Sequence, residues 1–199
     1  MSLLLALHSS SPVLGLGMLD LDRPEHPPQL LAVGLGRALS NELLTCLEQL
    51  LPAQRWPELT RLAVATGPGG FTGTRLTVVL ARTLAQQLQL PLDGLSSFLL
   101  IAIRLGLSEP TWLCQTLPRR GVVAGLYGPD AAAPGGMVEL QSPRLFASEA
   151  ELPSGPRQAA EVQLPADLEP MLQIGAACRS LPAPWQAVLP LYPTSPVAC

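Results

Sequence analysis

Residues 67–73 read Gly67-Pro68-Gly69-Gly70-Phe71-Thr72-Gly73, and this loop narrows the choice of fold further than any other segment. Four glycines in seven positions permit positive φ angles and close backbone approach. A short apolar segment, residues 62–65, precedes the loop; residues 74–90 follow it without glycine or proline and stop before Pro91. Strand, glycine loop and long helix in that order point to an α/β fold. Free amides at the start of such a helix can hold an anion. However, no Lys-Ser/Thr follows as a Walker loop requires, and the G-x-G-x-x-G dinucleotide spacing is absent. Tight packing of strand against helix is therefore preferred to phosphate binding for Gly67, Gly69, Gly70, Thr72 and Gly73.

The flanking sequence supplies the rest of a sheet. Residues 3–7 are a continuous apolar run ended by His8-Ser9-Ser10-Ser11-Pro12, residues 13–19 form a second run at hairpin distance, and residues 29–35 a third. Residues 40–51 place Leu43, Leu44, Leu47, Leu50 and Leu51 at helical spacing, with Ser40 as N-cap and Pro52 as a stop. In the helix after the loop, Leu76, Leu80, Leu84 and Leu88 make an i, i+4 stripe expected to face the core, flanked by Val78 and Val79, with Arg75, Arg82 and Gln86 opposite. Residues 96–105 read as a further helix capped by Ser96. Beyond Gly106, residues 111–116, 122–127 and 137–140 read as short strands, which suggests lobes of 1–105 and 106–199, the second smaller and proline-rich. From Pro153 onward the prolines predict a tail with little regular structure apart from a strand at 173–176.

Several function classes are disfavoured by composition. With a formal net charge of -3 the chain offers no basic surface to grip a phosphate backbone, so strong autonomous nucleic-acid binding is disfavoured. No stretch reaches the roughly 20 apolar residues of a membrane span, and Met1 to Leu7 lacks the basic region and cleavage site of a leader. Cys46, Cys114, Cys178 and Cys199 form no C-x-x-C pair, which fits free thiols in a reducing cytoplasm. His8 and His26 are the only histidines, too few for a metal site or a convincing Ser-His-Asp triad. Arg119-Arg120 reads as a solvated hairpin tip rather than an anion site.

The segment from Gly67 to Arg75, with Val64-Ala65 before it and an alanine-containing amphipathic helix after it, resembles the G-P-G-S-F-T-G-x-R signature of the bacterial TsaB (YeaZ) family, Gly70 standing where serine is usual. Leu50-Leu51-Pro52, the run from Pro91 to Ser97 and Pro190-Leu191-Tyr192 resemble further family segments. The resemblance implies an actin-like, ribonuclease-H-like (ASKHA) fold in two lobes, with a mixed sheet and helices. It also implies a part in making threonylcarbamoyladenosine in tRNA, as a degenerate, non-catalytic scaffold without a cofactor. Such a scaffold pairs with the catalytic relative TsaD and is joined by the ATPase TsaE. His8-Ser9-Ser10 stands where the family commonly has Asp-Thr-Ser/Thr, which agrees with a lost phosphoryl or metal site.

Two alternatives compete with the scaffold. An autonomous ATP-dependent kinase or carbamoyl transferase of the same fold would need a second glycine pair for adenosine, for which Gly135-Gly136 is the one candidate. A peptidase ranks last, because neither a metal-binding histidine pair nor a credible triad is present. In the family the two helices around residues 40–51 and 74–90 meet the equivalent pair of TsaD. The expected partner face is therefore Leu43, Leu47, Arg75, Val78, Val79 and Arg82, which would also support a homodimer of the isolated chain.

Overall fold

The computed structural model describes residues 1–193 of the chain. Strand β1 (Leu3–His8) is buried along its whole length because both of its faces are covered, which explains its unbroken apolar run. Leu3, Leu5 and Leu7 point into one core and Leu4 and Ala6 into another. Around β1 a five-stranded sheet runs in the order β3 (Gln29–Gly34), β2 (Val13–Asp20), β1, β4 (Leu59–Gly67), β5 (Leu92–Ser96). The β1, β2 and β3 neighbours are antiparallel, whereas β1, β4 and β5 run parallel.

Helices α1 (Leu39–Leu50) and α2 (Phe71–Leu88) cover the first core. On the opposite side lie α3 (Ser97–Leu105) and α4 (Leu168–Ala177). Helix α3 is apolar around most of its circumference, as a helix buried on two sides must be: Leu100 packs toward the first sheet, while Phe98, Ile101 and Ala102 pack on a second one. That second sheet has the order β8 (Met137–Phe146), β7 (Gly121–Pro129), β6 (Thr111–Leu117), β9 (Arg157–Ala159). The mixed α/β architecture of two sheets and interposed helices is the class expected from the sequence.

Several local expectations require correction. Helix α2 begins at Phe71, so Phe71, Thr72 and Gly73 form its first turn rather than the end of the loop. Ser40 lies inside α1, whose N-cap position is Ala38, and Ser96 caps α3 by position without a side-chain bond because its Oγ meets Tyr127 Oη at 3.1 Å. Strand β8 continues through Pro143, which an edge strand tolerates. The strand expected at 173–176 is part of α4: Leu168, Met171, Leu172 and Gly175 fall at helical spacing onto the first sheet. A side chain at Gly175 would collide with Leu4.

After α4 the chain returns across the first sheet. The Leu92 N–H donates to Ala183 O at 2.9 Å, the Leu191 N–H donates to Thr66 O at 2.7 Å, and Val188 is buried in the first core. Arg61 is buried in β4 and makes a bidentate pair with Asp93 at 2.6 and 2.7 Å, donating also to Leu181 O at 2.9 Å. Among the described residues no helix is long and apolar enough to cross a membrane. Cys46, Cys114 and Cys178 are free thiols, and Cys199 lies outside the described residues.

Candidate functional site

The end of β1, the glycine loop and the first turn of α2 meet at the mouth of a cleft between the two sheets. Close contact at this junction is what the glycines provide. A Cβ on Gly69 would overlap the Ser10 backbone, and one on Gly73 would overlap Ser9 O; the Gly70 N–H donates to Ser10 O at 2.8 Å. Gly67 has φ +97, a conformation that an L side chain rarely adopts. Gly70, by contrast, has open space around it, its nearest neighbour being Ser10 O at 3.7 Å.

Hydroxyls at the junction are satisfied by one another, as buried polar groups require. Ser9 Oγ and Thr77 Oγ1 lie 2.8 Å apart, Ser97 Oγ donates to Ser10 Oγ at 2.7 Å, and Thr74 Oγ1 donates to Ser10 Oγ at 3.3 Å. His8 is fully buried, and its Nδ1 accepts the Ser10 N–H at 3.3 Å. That bond leaves the neutral ring's proton on Nε2, which has no partner among the described residues. Burial without a counter-charge lowers the His8 pKa to about 3, so the ring is neutral at physiological pH.

The cleft has a volume of about 960 Å³ and is bordered by Ser9 to Pro12, Arg37, the first turn of α2, Cys114 to Thr116, and Ala159 to Val162. His8 is not part of its wall. Burial pushes the Cys114 thiol pKa up, so this cysteine is held as a thiol rather than a thiolate. Gly70, Thr72 and Gly73 of the loop signature do face the cleft, as do Gln115 and Arg37, the latter not singled out by the sequence. Gly135 and Gly136, the pair considered for adenosine, have φ +82 and +74 in the turn between β7 and β8, where Gly135 packs on Ile103. Arg119, with φ +63, sits between β6 and β7 as a hairpin-tip residue should.

The expected partner face divides into two groups. Leu43, Leu47 and Val78 are buried and belong to the first core, so they present no surface. On α2 the buried face is Thr74, Thr77, Val78, Ala81, Leu84 and Ala85, while Leu76, Leu80 and Leu88 are half-buried at its edge. The two threonines displaced the core from the expected leucine stripe because Ser9 and Ser10 satisfy their hydroxyls. Val79 is 54% exposed and Arg75 is exposed, as an interface requires; Leu44 of α1, at 52%, takes the place expected of its neighbours. Arg82 is half-buried, its guanidinium 5.6 Å from the centre of the Trp185 ring.

Known proteins resemble this chain in sequence and in fold. Residues 35–117 match the family described as TsaD, tRNA N6-adenosine threonylcarbamoyltransferase. A curated Bacillus subtilis (strain 168) protein, tRNA threonylcarbamoyladenosine biosynthesis protein TsaB, is 48% identical over 40 residues, 20% of this chain and 18% of that protein. The aligned stretch is thus less than a fifth of the relative's length. A Pseudomonas aeruginosa structure described as similar to peptidase YeaZ superposes with a TM-score of 0.76 at 21% identity, covering 98% of this chain and 100% of that one. YeaZ from the same organism gives 0.74 at 21% identity, with 96% and 100% covered. At that identity the two structures establish the fold, which agrees with the expected ASKHA-like class.

Proposed function

We propose that the chain is a TsaB/YeaZ family member, a reading these comparisons support, and that it is a non-catalytic subunit of the complex that forms threonylcarbamoyladenosine in tRNA. It pairs with a TsaD-type catalytic subunit through α1 and α2, a TsaE-type ATPase joins the pair, and the chain's own contact with tRNA is indirect. In the absence of its partner the same face supports a homodimer. The observation that carries the reading is the exposure of Leu44 on α1 and of Arg75 and Val79 on α2, helices whose other large apolar side chains, apart from Phe71 at the start of α2, are buried or half-buried against the core. An apolar centre bordered by charge is the composition of a protein interface.

The junction at the end of β1 agrees with this role. Its hydroxyls bond to one another, and Gly69 and Gly73 are closed against Ser10 and Ser9, so the motif serves packing. A second reading, an autonomous ATP-dependent kinase or carbamoyl transferase, is favoured by the cleft beside the first turn of α2, where helix amides attract anions. Purification from the native host under mild conditions, followed by mass spectrometry and calorimetric titration of the isolated chain with Mg-ATP, separates the two. A co-purifying TsaD-type protein with ATP binding no tighter than about millimolar supports the scaffold; micromolar ATP binding with turnover and no such partner supports the enzyme.

A further inference from the structure

We propose that residues 181–192 are a latch that positions α2 for its partner, with Trp185 and Tyr192 as positioning residues; the inference rests on the pairing reading above. Its first support is the number and placement of the anchors. Leu181 O is held by the buried Arg61, Ala183 O by the Leu92 amide, and the Leu191 N–H by Thr66 O. Val188 fills the space above Gly94, where an added Cβ would lie 2.9 Å from Val188 Cγ1. These contacts fix the segment to β4 and β5, the strands on either side of α2 in the chain.

The second support is where the aromatic side chains land. Tyr192 packs on Phe71 in the first turn of α2, ring centres 4.9 Å apart, and Trp185 packs on Arg82. These two contacts are eleven residues apart, which is about 16 Å along the helix, and at 3.6 residues per turn they lie about 20° apart around its axis. The latch thus lines one edge of α2 over most of its length. Val79 lies about 80° from Phe71 on the same wheel, so the latched edge adjoins the exposed face of α2 that carries Val79. Leu191 O also lies against Gly67, tying the latch to the glycine loop that starts the helix.

The division of labour within the segment makes the idea testable. Val188 is core, Tyr192 is 39% exposed and Trp185 is half-buried at the edge of the first core, so truncating Tyr192 removes a contact to α2 without opening that core, whereas truncating Trp185 also trims packing at the core's edge. In the full chain, Tyr192→Ala and Trp185→Ala are compared with Tyr192→Phe by amide hydrogen exchange at residues 70–75, by melting temperature, and by calorimetric titration with a purified TsaD-type subunit from the same genome. The expected result is exchange at Gly70 and Thr74 faster by roughly two- to tenfold in Tyr192→Ala, a partner dissociation constant raised by a similar factor in both alanine variants, and recovery in Tyr192→Phe. Wild-type exchange in both alanine variants overturns the latch, as does faster exchange with unchanged partner affinity. Unfolding of both alanine variants also overturns it, since the rings would then be core rather than positioning groups. Failure of the wild-type chain to bind removes the pairing reading together with the latch's partner role, whereas normal wild-type binding with indifferent variants removes the latch alone.

Discussion

His8 makes acid the sharpest probe of the folded state. The ring is fully buried and its pKa falls from the ordinary 6.5 to about 3, with desolvation by burial as the cause. In the unfolded chain the ring takes up a proton below the ordinary value, while the folded chain does not. Stability is therefore fully present above pH 6.5 and is lost as pH falls through the window down to about 3. Each unit crossed costs about 1.4 kcal/mol, so between pH 7 and pH 5 this one group removes about 2 kcal/mol. For a chain of this length that is a fall in Tm of about 4–8 °C. His8→Asn keeps an acceptor near the Ser10 N–H and abolishes the titration. Its absolute stability is lower because the smaller side chain leaves a void. Urea denaturation of both proteins at pH 7, 6 and 5 checks the difference in slope: the wild-type chain loses about 2 kcal/mol more than His8→Asn across that range. Parallel losses in the two proteins would refute the reasoning. Asp22, hydrogen-bonded to Ser2, and Glu58, hydrogen-bonded to Arg55, have lowered carboxyl pKa values, so their contributions are lost only at more acid pH, within the carboxylate range.

The glycine loop divides into positions that tolerate a side chain and positions that do not. Gly69→Ala and Gly73→Ala each lose about 1–3 kcal/mol because the new methyl meets backbone of Ser10 or Ser9, whereas Gly70→Ser stays within about 0.5 kcal/mol; chemical denaturation of the three variants ranks them. Asp93→Ala leaves the buried Arg61 guanidinium without its carboxylate and costs about 3–5 kcal/mol, and adding Arg61→Met recovers part of that loss in the same assay.

Much of the fold was legible where apolar pattern and local chemistry agreed. The unbroken run in β1, the hairpin into β2 and the loop-to-helix step at Gly67 each report directly on backbone needs. Helix α4 was hidden because Pro165 and Pro170 suggested irregular chain, yet Pro170 sits in the first turn, where no intrahelical N–H bond is lost. The face of α2 was misjudged for a different reason. Thr74 and Thr77 count as polar in any periodicity, and only the tertiary contacts to Ser9 and Ser10 make them core residues. Leu44 and Val79, as exposed apolar positions, look like any other leucine and valine in sequence; their meaning depends on which neighbours the core has already taken. Trp185 and Tyr192 lay in a tail whose prolines gave no periodic signal at all.

Pairing through α1 and α2 rests on the exposed side chains of the two helices. In a titration of the full chain against a TsaD-type subunit, Leu44→Glu combined with Val79→Glu places two charges on surface that is 52% and 54% exposed in the free protein. The expected melting temperature lies within about 3 °C of wild type. Partner affinity is expected to weaken by a factor of about 30 or more, the loss of an interface centre worth at least ~2 kcal/mol, with threonylcarbamoyladenosine formation falling in parallel. Wild-type affinity and wild-type activity in the double variant would contradict pairing through this face.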